Sequence, residues 1–121
     1  MEELLHYVWK HKLFTLKPLQ TTDGQPIEII DPGLANMHAG PDFFNAKIKI
    51  NDVTWVGNIE IHQQASDWFR HNHHLDPTYD SVILHVASDI DAVPTRSNGE
   101  IIPQMELHYP PYLCLLYTSD A

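Results

Sequence analysis

The sequence predicts one mixed α/β (α+β) domain, in the order helix, three strands, helix, strand and one further strand. Three observations carry this. An apolar stripe of helical period opens the chain, a period-two alternation marks a hairpin in its middle, and a β-branched apolar run, SVILHVA, follows a second helical segment.

Residues Glu2 to Phe14 are expected to be helical, because Leu4, Leu5, Val8 and Trp9 make one apolar stripe and Leu13 extends it. Glu2 and Glu3 fall at the positive end of the helix dipole, Lys10 and Lys12 at the negative end. Thr21-Thr22-Asp23-Gly24 reads as a turn, and Pro26 to Ile30 as a short strand ended by Asp31-Pro32-Gly33. Leu34 to Gly40 reads as a loop. In the hairpin, Ala46, Ile48 and Ile50 alternate with Lys47 and Lys49, and the chain reverses at Asn51-Asp52. The return strand, Val53 to about His62, places Trp55, Gly57, Ile59 and Ile61 on one face.

Gln63 to Arg70 is expected to form a short helix with Trp68 and Phe69 as its apolar contact, followed by a polar loop, His71 to Tyr79, broken by Pro77. Ser81 to Ala87 has the length and composition of a central strand covered on both faces. Asp89 to Gly99 reads as loop and Ile101 to Leu107 as the last strand, with Pro110-Pro111 ending regular structure.

A chain of 121 residues has room for one core. Its net charge of -9 argues against sequence-independent nucleic-acid binding through Lys and Arg, but leaves open a nuclease whose metal carries the positive charge to the phosphate. The start, Met1-Glu2-Glu3, lacks the basic and apolar regions of a signal peptide, and no run approaches the ~20 apolar residues of a membrane helix. A cytoplasmic protein without a membrane partner is expected. The last eight residues, CLLYTSDA, match the translation of a transposon-end sequencing adapter. Residues 1–113 are therefore expected to be the N-terminal part of a longer protein whose C-terminal portion is missing, and 114–121 a non-native tail with no redox meaning for Cys114.

Around the hairpin the sequence assembles a candidate site. Asp42 follows a Gly-Pro turn, and Glu60 and His62 project from one face of the return strand while Ile59 and Ile61 point the other way. Two carboxylates and a backbone carbonyl suit a hard divalent ion, Mg²⁺ or Mn²⁺. The bland alternative makes Asp42 a turn residue and Glu60 with His62 a solvent-facing pair. His71, His73, His74 and His85 lie close by in sequence, at spacings that match no established zinc motif. A polar loop plus a buried, hydrogen-bonded histidine is the plainer account, and strand parity sets His85 with Ile83 rather than in a cage. Trp55, Trp68, Phe43, Phe44 and Tyr79 are spaced as core residues. Asp67, just before Trp68, is placed either to serve the helix N-terminus or to accept from a histidine.

The element order, Pro41-Asp42 before the second strand and Glu60-Ile61-His62 closing the third, resembles the PD-(D/E)XK phosphodiesterase superfamily, the restriction-endonuclease-like fold. The resemblance spans roughly residues 1–90. It implies a divalent-metal-dependent nuclease, or a relic of one, with nucleic acid as partner. Asp42, Glu60 and the Ile61 carbonyl would hold Mg²⁺ or Mn²⁺, and His62 would stand where the superfamily most often has lysine, as a base or as a further ligand. Apart from the resemblance, the loop of His71 and His73 is placed to close over a substrate, and both, with His62, are candidate metal ligands, a site that needs three converging imidazoles and an open coordination position. The strings AGPDFFNAKIKI, WVGNIEIH, SDWFRH and YDSVILHV are similar, over most of residues 1–113, to an uncharacterised bacterial family, domain-of-unknown-function family 2851, which implies no activity. A non-catalytic binding or scaffolding module of a larger protein is the competing expectation.

Overall fold

A computed structural model describes residues 2–15 and 18–118. The opening apolar stripe forms α1, Glu2–Lys10, which buries Leu4, Leu5, Val8 and Trp9. The helix ends before Phe14 because Lys12 turns left-handed, with φ 53°. Leu13 N–H then donates to the Val8 carbonyl at 2.9 Å and Lys12 N–H to that of Trp9 at 3.2 Å, a Schellman ending built without glycine. The Lys12 ammonium leaves the helix end for the Ile29 carbonyl, 3.2 Å away on the first strand.

Six strands make one mixed sheet: β1 (Ile27–Asp31), β2 (Leu34–Ala35), β3 (Phe43–Ile50), β4 (Val53–Gln64), β5 (Val82–Asp89) and β6 (Gln104–Glu106). They are ordered β1-β3-β4-β5-β6, with β2 also on β3. Pairing is antiparallel from β1 through β4 and parallel from β4 through β6. The segment Leu34 to Gly40, expected as loop, contributes β2 because the Asp31-Pro32-Gly33 turn returns the chain to β3. Gly33 is required there: its φ is 91°, and a Cβ would sit 2.7 Å from the Phe44 carbonyl oxygen.

The hairpin turns at Asn51-Asp52 as expected, with Ile50 opposite Val53. A bulge at Asn45, φ 58°, interrupts the alternation of β3 so that Phe43 and Ala46 both reach the core. Under α1 lie Ile48, Ile59, Ile61, Leu84, Val86 and Met105, the main apolar core. Trp55 departs from its core assignment. It shares that face, opposite Ile48, yet is 49% exposed, because β4 is uncovered from Val53 to Val56 at the hairpin end.

β4 continues to Gln64, which pairs with Asp89, so the second helix is only α2, Asp67–Arg70, not Gln63 to Arg70. The expected loop His71 to Tyr79 contains two 3₁₀ helices, His73–Leu75 and Pro77–Ser81. With α2 they cover the other face of the sheet, where Trp68, Val82 and Ile102 form a second small core with Phe69 and Tyr79. β5 is covered on both faces, as its composition predicted: Leu84, His85, Val86 and Ala87 are all buried. The last strand is shorter than Ile101 to Leu107 because Pro103 has no N–H to give, and Ile101 bridges to Thr95 instead.

Pro110-Pro111 do not end regular structure. They precede α3, Tyr112–Thr118, whose Leu113 and Cys114 pack against the main core. Of the eight residues expected to be a tail, 114–118 are in this helix and 119–121 lie outside the described residues. Among the described residues no helix is long and apolar enough to cross a membrane.

Candidate functional site

On the face of the sheet away from α1, strand register sets Glu60, His85 and Gln104 side by side across β4, β5 and β6. His62 is two residues along β4 on the same face. These are not surface groups: Glu60 is 4% exposed, His62 1%, His85 0% and Gln104 4%. Their burial overturns the expectation of a solvent-facing Glu60–His62 pair. The cover comes from Trp68, whose indole meets the rings of His73 and His85 edge-on, and from Tyr79, stacked on His73 with centroids 3.7 Å apart.

Buried polar groups must be paired, and here the pairing forms a chain. Gln104 Nε2 donates to the Ala92 carbonyl at 2.9 Å, and Gln104 Oε1 lies 2.6 Å from His85 Nδ1. His85 Nε2 is 2.8 Å from His62 Nδ1. His62 Nε2 then stands 3.2 Å from Glu60 Oε2, and His73 Nε2 reaches the same oxygen at 3.0 Å. His85 thus joins the cluster, against the expectation that parity would keep it apart, while its role as a buried, hydrogen-bonded histidine is as expected.

His71 and His73 arrive by a local turn. α2 ends at Arg70 with His71 as its C-cap, and Asn72 takes a left-handed conformation, φ 59°, so His71 and His73, two residues apart, both turn back toward His62. Asparagine tolerates this region better than other residues with a Cβ. One ring nitrogen each of His62, His71 and His73 lie within 4.8 Å of one another, His71 being the exposed member. Arg70 and Asp67 pair beside them, and Asp67 also accepts from the Gln64 N–H at 3.3 Å. His74 faces away, against Phe69.

Asp42, just before β3, meets the cluster from the other side. Its N–H donates to Glu60 Oε1 at 3.2 Å, and its Oδ2 accepts from the Ile61 N–H at 2.8 Å. It is therefore no turn cap. The Ile61 N–H faces the site through its bond to Asp42. His6, on α1, brings Nε2 to 3.5 Å from Asp42 Oδ2, and that nitrogen is buried without a hydrogen bond.

The electrostatics follow from this packing. Burial pushes Glu60 up, but the hydrogen bonds and charges of His62 and His73 outweigh it and hold the carboxyl at about 2. Burial drives His85 down to about 4, against the opposing hydrogen bond to Gln104. Asp42 is raised by burial and by the charge of Glu60, with His6 and the Ile61 N–H pulling the other way. Tyr79 is pushed up to about 12 by burial and by the charges of Glu60, Asp42 and Asp76. At neutral pH the site holds an ionised Glu60, a neutral His85 and a protonated Tyr79.

Sequence reasoning singled out Asp42, Glu60, His62, His71 and His73, and the fold brings all five together. It missed Gln104 and His6. Gln104 lies within the stretch read as a strand, but its register against β5 was not legible. His6 lies between Leu5 and Tyr7 on α1, with nothing in its spacing to separate it from a surface residue. A separate depression of about 430 Å³, bordered by Phe14, Leu19, Thr22, Met105 and His108, includes none of the cluster.

A sequence profile described as a protein of unknown function (DUF2851) matches residues 2–118, so the chain belongs to that family. No curated protein and no solved structure is significantly similar to it.

Proposed function

We propose that the chain is a divalent-metal-dependent phosphodiesterase acting on nucleic acid, built on a restriction-endonuclease-like core, with Asp42 and Glu60 as the carboxylate ligands of Mg²⁺ or Mn²⁺. The supporting observation is their interlock: the Asp42 N–H is on Glu60 Oε1, and the Asp42 carboxylate is on the N–H of the residue after Glu60. The superfamily resemblance supports the same pair. An ion bound there supplies the positive charge that a chain of net charge -9 lacks toward a phosphate, and activates water. Glu60, held ionised by His62 and His73, is ready to ligate at neutral pH. His62 stands in the position of the superfamily lysine, next to that carboxylate.

The experiment is a thermal melt with and without millimolar Mn²⁺ on the wild type and on Asp42→Ala and Glu60→Ala, followed by cleavage assays on DNA and RNA. Saturation at about a hundredfold the dissociation constant adds roughly 2.7 kcal/mol, visible as a rise in midpoint. A rise that both substitutions abolish, with Mn²⁺-dependent cleavage, supports the enzyme. The competing reading, a non-catalytic module of a larger protein, draws on a different observation: Asp42 and Glu60 already have partners within the chain. No rise and no cleavage would favour it.

A further inference from the structure

We propose that Glu60, His62 and His73 bind a first-row transition-metal ion such as Zn²⁺, with His71 as the ligand at the exposed mouth, and that His85 and Gln104 are positioning residues that fix the ring of His62 for it. This position goes beyond the hard-ion site above and shares Glu60 and His62 with it, but not Asp42.

The case starts at the far end of the hydrogen-bond chain. A backbone carbonyl only accepts, so Gln104 must present Nε2 to Ala92 and Oε1 to His85. His85 Nδ1 therefore donates. His85 is wholly buried and its ring nitrogens meet Gln104 and His62, neither of them an acid, so the ring keeps one proton, on Nδ1, and its Nε2 accepts. His62 Nδ1 must then donate to it. With Nδ1 committed to His85, Nε2 is the nitrogen His62 offers to a metal, and it stands 3.2 Å from Glu60 Oε2. Fixing a histidine's tautomer through its other nitrogen is how proteins prepare imidazole ligands.

Spacing supports the same conclusion. On a tetrahedral ion with bonds of about 2.0 Å, neighbouring donor atoms stand about 3.3 Å apart. Glu60 Oε2 is 3.2 Å from His62 Nε2 and 3.0 Å from His73 Nε2. His71 is exposed, with a ring nitrogen within 4.8 Å of those of His62 and His73, and is placed to complete the set. Two to three imidazoles with one carboxylate favour zinc and its neighbours over magnesium. The stacked Tyr79 ring and the Trp68 edge hold His73 in place, leaving His71 as the adjustable ligand.

The test is titration of the full chain with Co²⁺ and Zn²⁺, read by calorimetry and by the visible absorption of bound cobalt. The wild type is expected to take one cobalt with the intense bands of a four- or five-coordinate ion, displaced by zinc. Asp42→Asn should keep this signal, so failure of the phosphodiesterase proposal and failure of this one are separable. A His62→Ala, His73→Ala double variant should lose it at least a hundredfold. Gln104→Leu should weaken affinity by about 10- to 100-fold and alter the cobalt bands. ¹⁵N spectra of the histidine rings in the wild type need no variant to fold. They should show His62 protonated at Nδ1, with only its Nε2 resonance moving on zinc addition. No cobalt bound at millimolar concentration, a signal indifferent to the double variant, or zinc at Nδ1 of His62 would each overturn the proposal.

Discussion

The two faces of the β4–β5 pair are equally buried and chemically opposite. On one, Ile59, Ile61, Leu84 and Val86 meet α1 in an ordinary apolar core. On the other, Glu60, His62 and His85 occupy the alternate positions of the same strands and are as inaccessible to water. The first face is stable whatever its exact partners, because apolar burial is non-directional. The second persists only because each polar atom finds a matching one, from Ala92 through Gln104, His85 and His62 to Glu60 and His73. A fold that maintains such a row carries a cost in desolvation that an apolar row would not, which directs attention to that face as the functional one.

Substitutions in adjacent residues give the sharpest contrast. In the metal-free protein Glu60→Ala strands the nitrogens of His62 and His73 and is expected to cost about 3–5 kcal/mol. Ile61→Ala, one residue on and on the other face, should cost about 2–5 kcal/mol through lost burial and a cavity. Chemical denaturation measures both. Added Zn²⁺ should leave the Ile61→Ala deficit unchanged and widen that of Glu60→Ala, since only the wild-type ligand set is stabilised by the ion.

Acid should separate the faces next. His85 is held at about 4, below its ordinary 6.5, so the unfolded chain binds more protons and stability falls as pH drops from about 6.5 to about 4. Glu60, held at about 2 against an ordinary 4.5, extends the loss from about 4.5 to about 2. The raised Asp42 opposes this only in the carboxylate range. Calorimetric midpoints at pH 7.5, 5 and 3 should fall in parallel for wild type and Ile61→Ala, whereas His85→Leu should lose less than either between 7.5 and 5. A wild-type midpoint that does not fall across this range would break the contrast.

Smaller effects test the borders of the polar face. Asn72→Val forces a β-branched residue to φ 59° and should cost about 1–2 kcal/mol and weaken zinc binding, while Asn72→Gly should be near neutral. Trp55→Ser, at the uncovered hairpin end, should change stability by less than about 0.5 kcal/mol. A large loss there would mean that the indole packs more than its exposure indicates.

How much of this was legible depends on the range of the interaction. The hairpin turn at Asn51-Asp52, the faces of β4 and the double burial of β5 follow from period-two patterning, which is local. Helix ends were misjudged where a non-glycine residue turned left-handed, as at Lys12, because side-chain pattern carries no signal for backbone φ there. β6 was overextended because Pro103 removes a donor at the point where apolar residues continue.

Within the site the sequence by itself determined the cast: an acid before one strand, an acid and a histidine on one face of the next, and histidines in the segment that follows. These follow from strand parity and chain order. Only the tertiary structure decided that Glu60 and His62 are buried, that His85 and Gln104 stand beside them, and that His73 shares the oxygen held by His62. The reason is physical. Parity says which face a residue occupies, but which strand lies next to it, in what register, and what covers the face are set by the parallel crossovers over residues 65–81 and 90–103, which no local pattern encodes.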